Sequence, residues 1–310
     1  MGKNSKRNKK GVQRMSSVTL VIPTYNRSEP LKGTLDSILK TDNEPDQIMV
    51  VDDSSGDKSK KVCEAHELEV EYIRPENSIN LPHARNVAIE NSETEIIAFV
   101  DDDVRFADGW CEAIKTSFED QNVGAVGGPT FEYNGDELKN PLIESDKNQN
   151  IITEEGFIQD CSTYWKPSKP VETDTLRGAN MAFRRSVLEE INGFDEEYKG
   201  NSYREDTDIC VRVSKAGYKL IYNPEAELEH LYIDEGGCRD KSRDFWYTLG
   251  LNHRRYVEKN FSKYRMAHLE SFLFSWSYGP YSLLKIVLSS VKNKNPDRLS
   301  YLKGLYRGGA

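Results

Sequence analysis

From Val18 onward, short apolar runs rich in β-branched residues alternate with amphipathic stretches, and this alternation leaves few folds open to the chain. The runs 18–22, 48–52, 70–74, 96–100 and 123–127 are mostly apolar on both of the faces a strand presents. A strand of that kind must be covered on both sides, which predicts a parallel sheet between two layers of helices. The intervening segments fit. Ser28 precedes a stretch with Leu31, Leu35, Ile38 and Leu39 on one face, and Asp108 precedes one carrying Trp110, Ile114 and Phe118, so both polar residues are placed as helix N-caps. A further helix over 206–216 carries Ile209, Val213 and Ala216 on its buried side and stops at Gly217, where glycine can take the left-handed cap. The expected architecture is α/β, a doubly wound, mostly parallel Rossmann-like sheet. In such sheets ligands lie beyond the carboxyl ends of the strands.

Three regions follow from this pattern. Residues 1–16 form a basic tail containing Lys3, Lys6, Arg7, Lys9, Lys10 and Arg14 without an acid. Such a run reads as a solvated, disordered tail or as an attraction to an anionic membrane face, and it lacks the apolar core of an export signal. Residues 17–235 hold the α/β domain, and 236–310 form a helical C-terminal extension. Within the extension, the apolar stretch 272–291 is interrupted by Gly279-Pro280 and carries Lys285, which makes it a poor single membrane span; two short helices that pack on the domain or rest in a membrane interface fit it better. Between 129 and 174 the periodicity dissolves, as in a covering loop.

Composition excludes some partners. With 42 Lys and Arg against 51 Asp and Glu, the formal net charge is -9, which speaks against nucleic acid. Five scattered cysteines, none in a CxxC pair, indicate neither a zinc site nor a disulfide framework; they read as small buried apolar residues in a reducing, cytoplasmic setting.

Polar residues crowd just after the strands. Asp101, Asp102 and Asp103 follow the run 96–100 directly, where adjacent like charges are costly unless a cation or solvent offsets them. Alternate carboxylates in a strand-end loop can share one divalent ion, although an exposed acidic turn is the simpler reading of the triplet alone. After the run 48–52 come Asp52, Asp53, Ser54, Ser55 and Gly56, where a carboxylate can accept a base imide or ribose hydroxyls. After the first run stand Pro23, Thr24, Tyr25, Asn26 and Arg27, able to flank a nucleobase or to form a tight turn. Trp165 and Trp246 are candidates for stacking on an acceptor sugar, with core packing the plainer reading for Trp246.

In order along the chain, VIPTYNR, VVDDSSGD, AFVDDDV, RGANMAFRRSVLEEINGFDE and REDTDICVRVSKAGY resemble the family 2 glycosyltransferases of GT-A fold, over roughly residues 18–230. The resemblance implies transfer of a sugar from a nucleotide-diphosphate sugar, a UDP-sugar above all, to a hydroxyl of a glycan or lipid-linked glycan, with inversion. It implies that Pro23, Thr24, Tyr25, Arg27 and Asp53 line the nucleotide pocket and that Arg85 lies near the donor phosphates or ribose. Asp101 and Asp103 then match the DxD pair that holds Mn2+ or Mg2+, with Asp102 between them on the donor, and His230 resembles the histidine that completes the metal shell. Asp206 resembles the catalytic base, with Glu205 and Asp208 as weaker candidates, although acids in a first helical turn are also favoured by the helix dipole. Gly178 and Asn180 belong to the floor of the sugar site.

A nucleotidyltransferase would need a glycine-rich loop after the first strand, and 24–28 has no glycine. A polyprenyl-phosphate sugar synthase needs no strong base, and a silent carbohydrate-binding relative has no need of Asp53, Asp101, Asp103 and Asp206 together. Peripheral contact with the cytoplasmic face of a membrane remains compatible with the two ends of the chain.

Overall fold

A computed structural model describes residues 16–264, apart from 43, 78, 148, 160–163, 232 and 234–242, together with 300, 303 and 304. The apolar runs are the strands of its central sheet: β1 (Val18–Thr24), β2 (Gln47–Asp52), β3 (Val70–Ile73), β4 (Ile96–Val100) and β6 (Val123–Gly127). Between them lie α1 (Ser28–Ile38), α2 (Lys58–Ala65), α3 (Leu81–Asn91), the short β5 (Val104–Phe106) and α4 (Trp110–Ser117). Both expected side-chain caps are absent. Ser28 is already inside α1, and α4 is preceded by Gly109 in the left-handed region (φ 80°) with no side-chain cap. The helices are held instead by burial of their apolar faces, which tertiary packing supplies independently of a cap.

After β6 the chain runs through β7 (Thr130–Asn134), β8 (Glu137–Leu138), β9 (Ile143–Glu144), β10 (Ile151–Ile152), β11 (Ile158–Gln159), β12 (Trp165–Lys166) and β13 (Val171–Thr173). The expected covering loop is thus largely short strands, too brief to leave a period of two in the sequence. It also contributes to the interior: Trp165 is fully buried, stacks on Tyr222 at 4.6 Å and donates its indole N–H to the Ser145 carbonyl at 2.6 Å. An indole so occupied cannot stack on a sugar, which corrects its reading as an acceptor platform. Next come β14 (Asn180–Arg184), α5 (Arg185–Glu190), α6 (Glu205–Lys215), β15 (Lys219–Tyr222), β16 (Leu228–Leu231) and α7 (Arg243–Asn260). Gly217, just past α6, has φ 94° as a left-handed cap requires.

The central sheet has eight strands in the order β13-β15-β6-β14-β4-β1-β2-β3. Strands β3, β2, β1 and β4 are mutually parallel, as are β15 and β6, while β14 runs antiparallel between β4 and β6. Alternation along each strand feeds two cores. Leu20, Ile22, Ile48, Val50, Ile96 and Ala98 pack with residues of α1 and α4, whereas Val21, Met49, Val51, Ile97 and Phe99 pack with Ala84 of α3, Val187 of α5 and Ile209 of α6. A second sheet, β5-β16-β7-β8, flanks the first, and β5 leaves the end of β4 after only Asp101, Asp102 and Asp103.

Among the described residues no helix is long and apolar enough to cross a membrane. The stretch 272–291, residues 1–15 of the basic tail, Cys161 and Cys238 lie outside the described residues. Cys63, Cys111 and Cys210 are free and buried. Trp246 is buried on α7.

Asn180 locks the sheet centre to its surroundings. Its amide oxygen accepts from the Trp110 indole at 3.0 Å and its amide nitrogen donates to the carbonyls of Ala226 (2.8 Å) and Pro129 (3.2 Å). The side chain expected on the sugar floor is therefore wholly engaged within the interior. Replacing Asn180 with Ala strands these buried groups, at about 1–3 kcal/mol for each one left unsatisfied. A denaturation midpoint lowered accordingly, at unchanged slope, is the expected outcome.

Candidate active site

The site lies at the carboxyl end of β4, where Asp101, Asp102 and Asp103 bridge the two sheets. Continuing the strand's alternation, Asp101 falls on the face of Ile97 and Phe99 and Asp102 on the opposite, α1 face. The contacts agree. Asp102 is buried; its Oδ2 accepts from the Thr24 hydroxyl at 2.6 Å, and its Oδ1 lies 3.2 Å from the Arg27 guanidinium. Burial pushes Asp102 up to about 7, with Arg27 and Thr24 working against the rise and the charges of Asp103 and Asp101 adding to it. Arg27 also donates to Asp103 Oδ2 at 2.5 Å. Thr24 and Arg27, expected on the nucleotide, are thus built into the support of the acidic loop.

His230 arrives from the second sheet. In β16 it stands opposite Val104 of β5, next to Asp103, and the Leu231 N–H donates to the Asp103 carbonyl at 2.8 Å. Its Nε2 lies 3.1 Å from Asp103 Oδ1 and 3.5 Å from Asp101 Oδ2. Burial disfavours a charge on His230, but its bonds to the two aspartates outweigh this and push the imidazole up to about 9. Burial would likewise raise Asp101; His230, with Arg85 and Arg177 adding to the effect, holds it below the usual carboxylate range instead. Ligand atoms of Asp101, Asp103 and His230 all lie within 4.8 Å of one another, the one such group among the described residues. Two carboxylates and an imidazole form a donor set that suits a divalent cation of the Mn2+ or Mg2+ type.

The end of β2 is arranged similarly. Asp52 is fully buried, accepting from the Ser54 N–H at 2.9 Å and the Tyr72 hydroxyl at 2.8 Å, so the first acid of the pair supports the turn. Asp53 stays partly exposed, and its N–H joins the strand ends by donating to the Thr24 carbonyl at 3.1 Å. Pro23 is partly exposed, and Tyr25 stands 53% exposed above this edge. Asn26 adopts φ 55° while its N–H donates to Ser54 Oγ at 2.6 Å, making the tight turn that its sequence allows.

The third part is the start of α6. Asp206, partly exposed, accepts from the Thr207 N–H at 2.7 Å and the Gly178 N–H at 3.3 Å. Glu205 is buried and paired with Arg85, which is itself 1% exposed. Burial pushes Glu205 up to about 7 against the pull of Arg85, with the charges of Asp206 and Asp101 adding to the rise. The turn of α6 and the acidic loop of β4 therefore share one electrostatic field. Asp208 faces elsewhere: fully buried, it accepts from Arg212 and Lys259 at 2.9 Å each and from Asn260 at 2.6 Å, which removes it as a base.

Sequence reasoning passed over Arg177 and Glu132. Arg177 influences both Asp101 and Glu132 electrostatically, and Glu132, beside His230 in the register of β7 and β16, is held below its ordinary pKa by Lys139 and Arg177 against burial. Arg177 was within reach as the charge beside Gly178; Glu132 lay in sequence without a period and gave no signal.

An α/β sheet with a strand-end aspartate pair and an acid at the mouth of a helix defines the GT-A class of glycosyltransferase fold. The chain belongs to glycosyl transferase family 2, whose family model matches residues 19–191; a second, described as the N-terminal domain of galactosyltransferase, matches 162–233. The O-antigen chain rhamnosyltransferase WbaN of Salmonella anatum is 29% identical over 219 residues, covering 70% of this chain and 66% of that one, so the match spans just under two thirds of the relative. Among solved structures, GalNAc-T7 with UDP, GalNAc and Mn2+ superposes with a TM-score of 0.66 at 18% identity, over 94% of this chain and 56% of that one. TarS residues 1–349 of S. aureus with UDP-GlcNAc gives 0.62 at 16%, over 93% and 79%.

Replacing Arg27 with Met leaves Asp102 without its counter-charge and Asp103 with His230 alone, and a loss of about 3 kcal/mol is expected, since removing one partner of a buried pair strands the other. Asp102→Asn keeps the Thr24 bond and is expected to cost under about 1.5 kcal/mol. Urea midpoints of the two variants measure the difference.

Proposed function

We propose that the protein transfers a sugar from a nucleoside-diphosphate sugar, a UDP-sugar foremost, to a hydroxyl of a glycan or lipid-linked glycan, with inversion at the anomeric carbon and with a divalent cation. The observation that carries this is the meeting of Asp101, Asp103 and His230 in one cluster whose field reaches the Glu205-Asp206 turn. The nucleotide is assigned to the edge formed by Pro23, Tyr25 and Asp53, where Tyr25 is exposed and Pro23 and Asp53 are partly exposed. UDP and Mn2+ in the GalNAc-T7 structure, and UDP-GlcNAc in that of TarS, support such a donor by analogy of fold. The O-antigen rhamnosyltransferase supports a glycan acceptor.

Asp101, Asp103 and His230 would hold the cation, for which His230 must give up its proton. When bound, a divalent ion neutralises the charge that grows on the departing diphosphate. Asp206 accepts the proton of the acceptor hydroxyl while that oxygen attacks the anomeric carbon on the face opposite the leaving group. One in-line displacement inverts the centre. The N–H groups of Gly178 and Thr207 hold the carboxylate in place, so the reaction gains chiefly from positioning. Gly178 keeps that floor low, because a Cβ there would stand 3.1 Å from Arg85 Nη2 and 3.3 Å from Glu205 Oε1. A polyprenyl-phosphate acceptor is the less favoured reading, since a phosphate oxygen needs no base and Asp206 would be idle.

A panel of nucleotide sugars, deoxysugar donors included, read by nucleoside-diphosphate release with and without Mn2+, tests the proposal. Release that depends on the metal is expected, and silence across the panel sinks it. Asp206→Asn should lower kcat by at least about 100-fold, the low end for a general base, with donor binding by calorimetry unchanged. In Asp103→Asn, Mn2+ binding measured by the same method should be lost.

A further inference from the structure

Arg85 is only 1% exposed, and the proposed chemistry leaves it without a task. It projects from α3, which is fastened to the segment before α6: Asn80 caps the His83 N–H and donates to the carbonyls of Glu196 (2.7 Å) and Tyr198 (2.9 Å), and Asn86 donates to the Phe194 carbonyl at 2.9 Å. The guanidinium lies 5.8 Å from the ring centre of Phe99 and 5.2 Å from that of Phe194. Nη1 donates to Glu205, and Nη2 donates to the Gly178 carbonyl at 3.0 Å. Both terminal nitrogens therefore have a partner in the protein, with the guanidinium between two aromatic rings at 1% exposure and only the buried Nε left without one.

We propose that Arg85 is a positioning residue that sets the carboxylate of Asp206 through Gly178 and Glu205, and that it does not bind the donor phosphates. The geometry carries two routes. Gly178 gives its carbonyl to Arg85 and its N–H to Asp206, so the two peptides that meet at the glycine are each held, and a glycine, the residue with the freest backbone, keeps its N–H aimed at Asp206 only when its carbonyl side is anchored as well. The second route is the chain itself, because Glu205 immediately precedes Asp206. The turn into α6 runs against backbone preference, with Ser202 at φ 50° and Arg204 at φ 76°, and such conformations persist only where surrounding bonds over-determine them. The planar fork of arginine holds two acceptors at once; a lysine can hold one firmly.

This inference rests on Asp206 as the base. The test uses the full chain, UDP with Mn2+ as the binding probe, and release of UDP from the UDP-sugar that turns over fastest. Arg85→Lys, which keeps the charge, should lower kcat by roughly 10- to 100-fold, the scale of a misplaced catalytic group, while donor KM and the Kd for UDP with Mn2+ move less than about twofold. The double variant Arg85→Met with Glu205→Gln leaves no stranded charge and should show the same split. A rise in KM and Kd at unchanged kcat would make Arg85 a phosphate ligand and overturn the proposal, as would wild-type kinetics in both variants. A silent wild type, or full activity in Asp206→Asn, instead removes the transfer or base assignment beneath it.

Discussion

Three carboxylates in succession at the end of a wholly buried strand set the terms for everything around them. Left together in a low-dielectric setting they would repel, and the fold separates them by the pleat. Asp102 turns towards α1, where Arg27 offsets its charge and the Thr24 hydroxyl donates to it; Asp101 turns to the opposite face, beside His230; Asp103 is shared between Arg27 and His230. The same arrangement that makes the loop tolerable gathers two carboxylates and an imidazole where a cation can replace the proton of His230. Stability and site chemistry draw on one charge distribution.

The second sheet exists in this economy of charge to bring His230 back. The acidic loop is only three residues long, so β5 begins where β4 ends and the small sheet is pinned to the large one. The pairing of β16 with β5 places His230 opposite Val104, and a slip of one residue would turn its ring to the other face. The parallel pairing with β7 adds Glu132 to the same neighbourhood, which explains why a segment that looks like loop in the sequence bears on the site.

The helix α6 faces two ways. At its mouth Asp206 is held by the N–H groups of Gly178 and Thr207, while about half a turn further on Asp208 is consumed by Arg212, Lys259 and Asn260, two of which belong to α7. Acids two residues apart on a helix point about 200° apart, so a single acidic run serves both the candidate site and the anchoring of the C-terminal helix without competition. Asp195, bound by Arg255 and Lys259, extends that anchor to the loop that leads into α6.

The sequence by itself determined the layered α/β fold, because strands that are apolar on both faces admit almost no other cover, and it determined where polar residues would concentrate, because only strand ends escape that cover. The runs 96–100 and 123–127 are strands to the residue, and the order of the acidic motifs pointed to glycosyl transfer. What each polar side chain touches was decided by tertiary structure. Asp102, Thr24 and Asn180 read like ligand contacts and have protein partners, Trp165 reads like a sugar platform and is core, and Arg85 reads like a phosphate contact and has both terminal nitrogens bound to the protein. The physical reason is common to all of them. A sequence shows which groups demand a hydrogen bond or counter-charge, but the partners come from 20 to 120 residues away, and only the folded register shows whether another part of the chain already meets the demand.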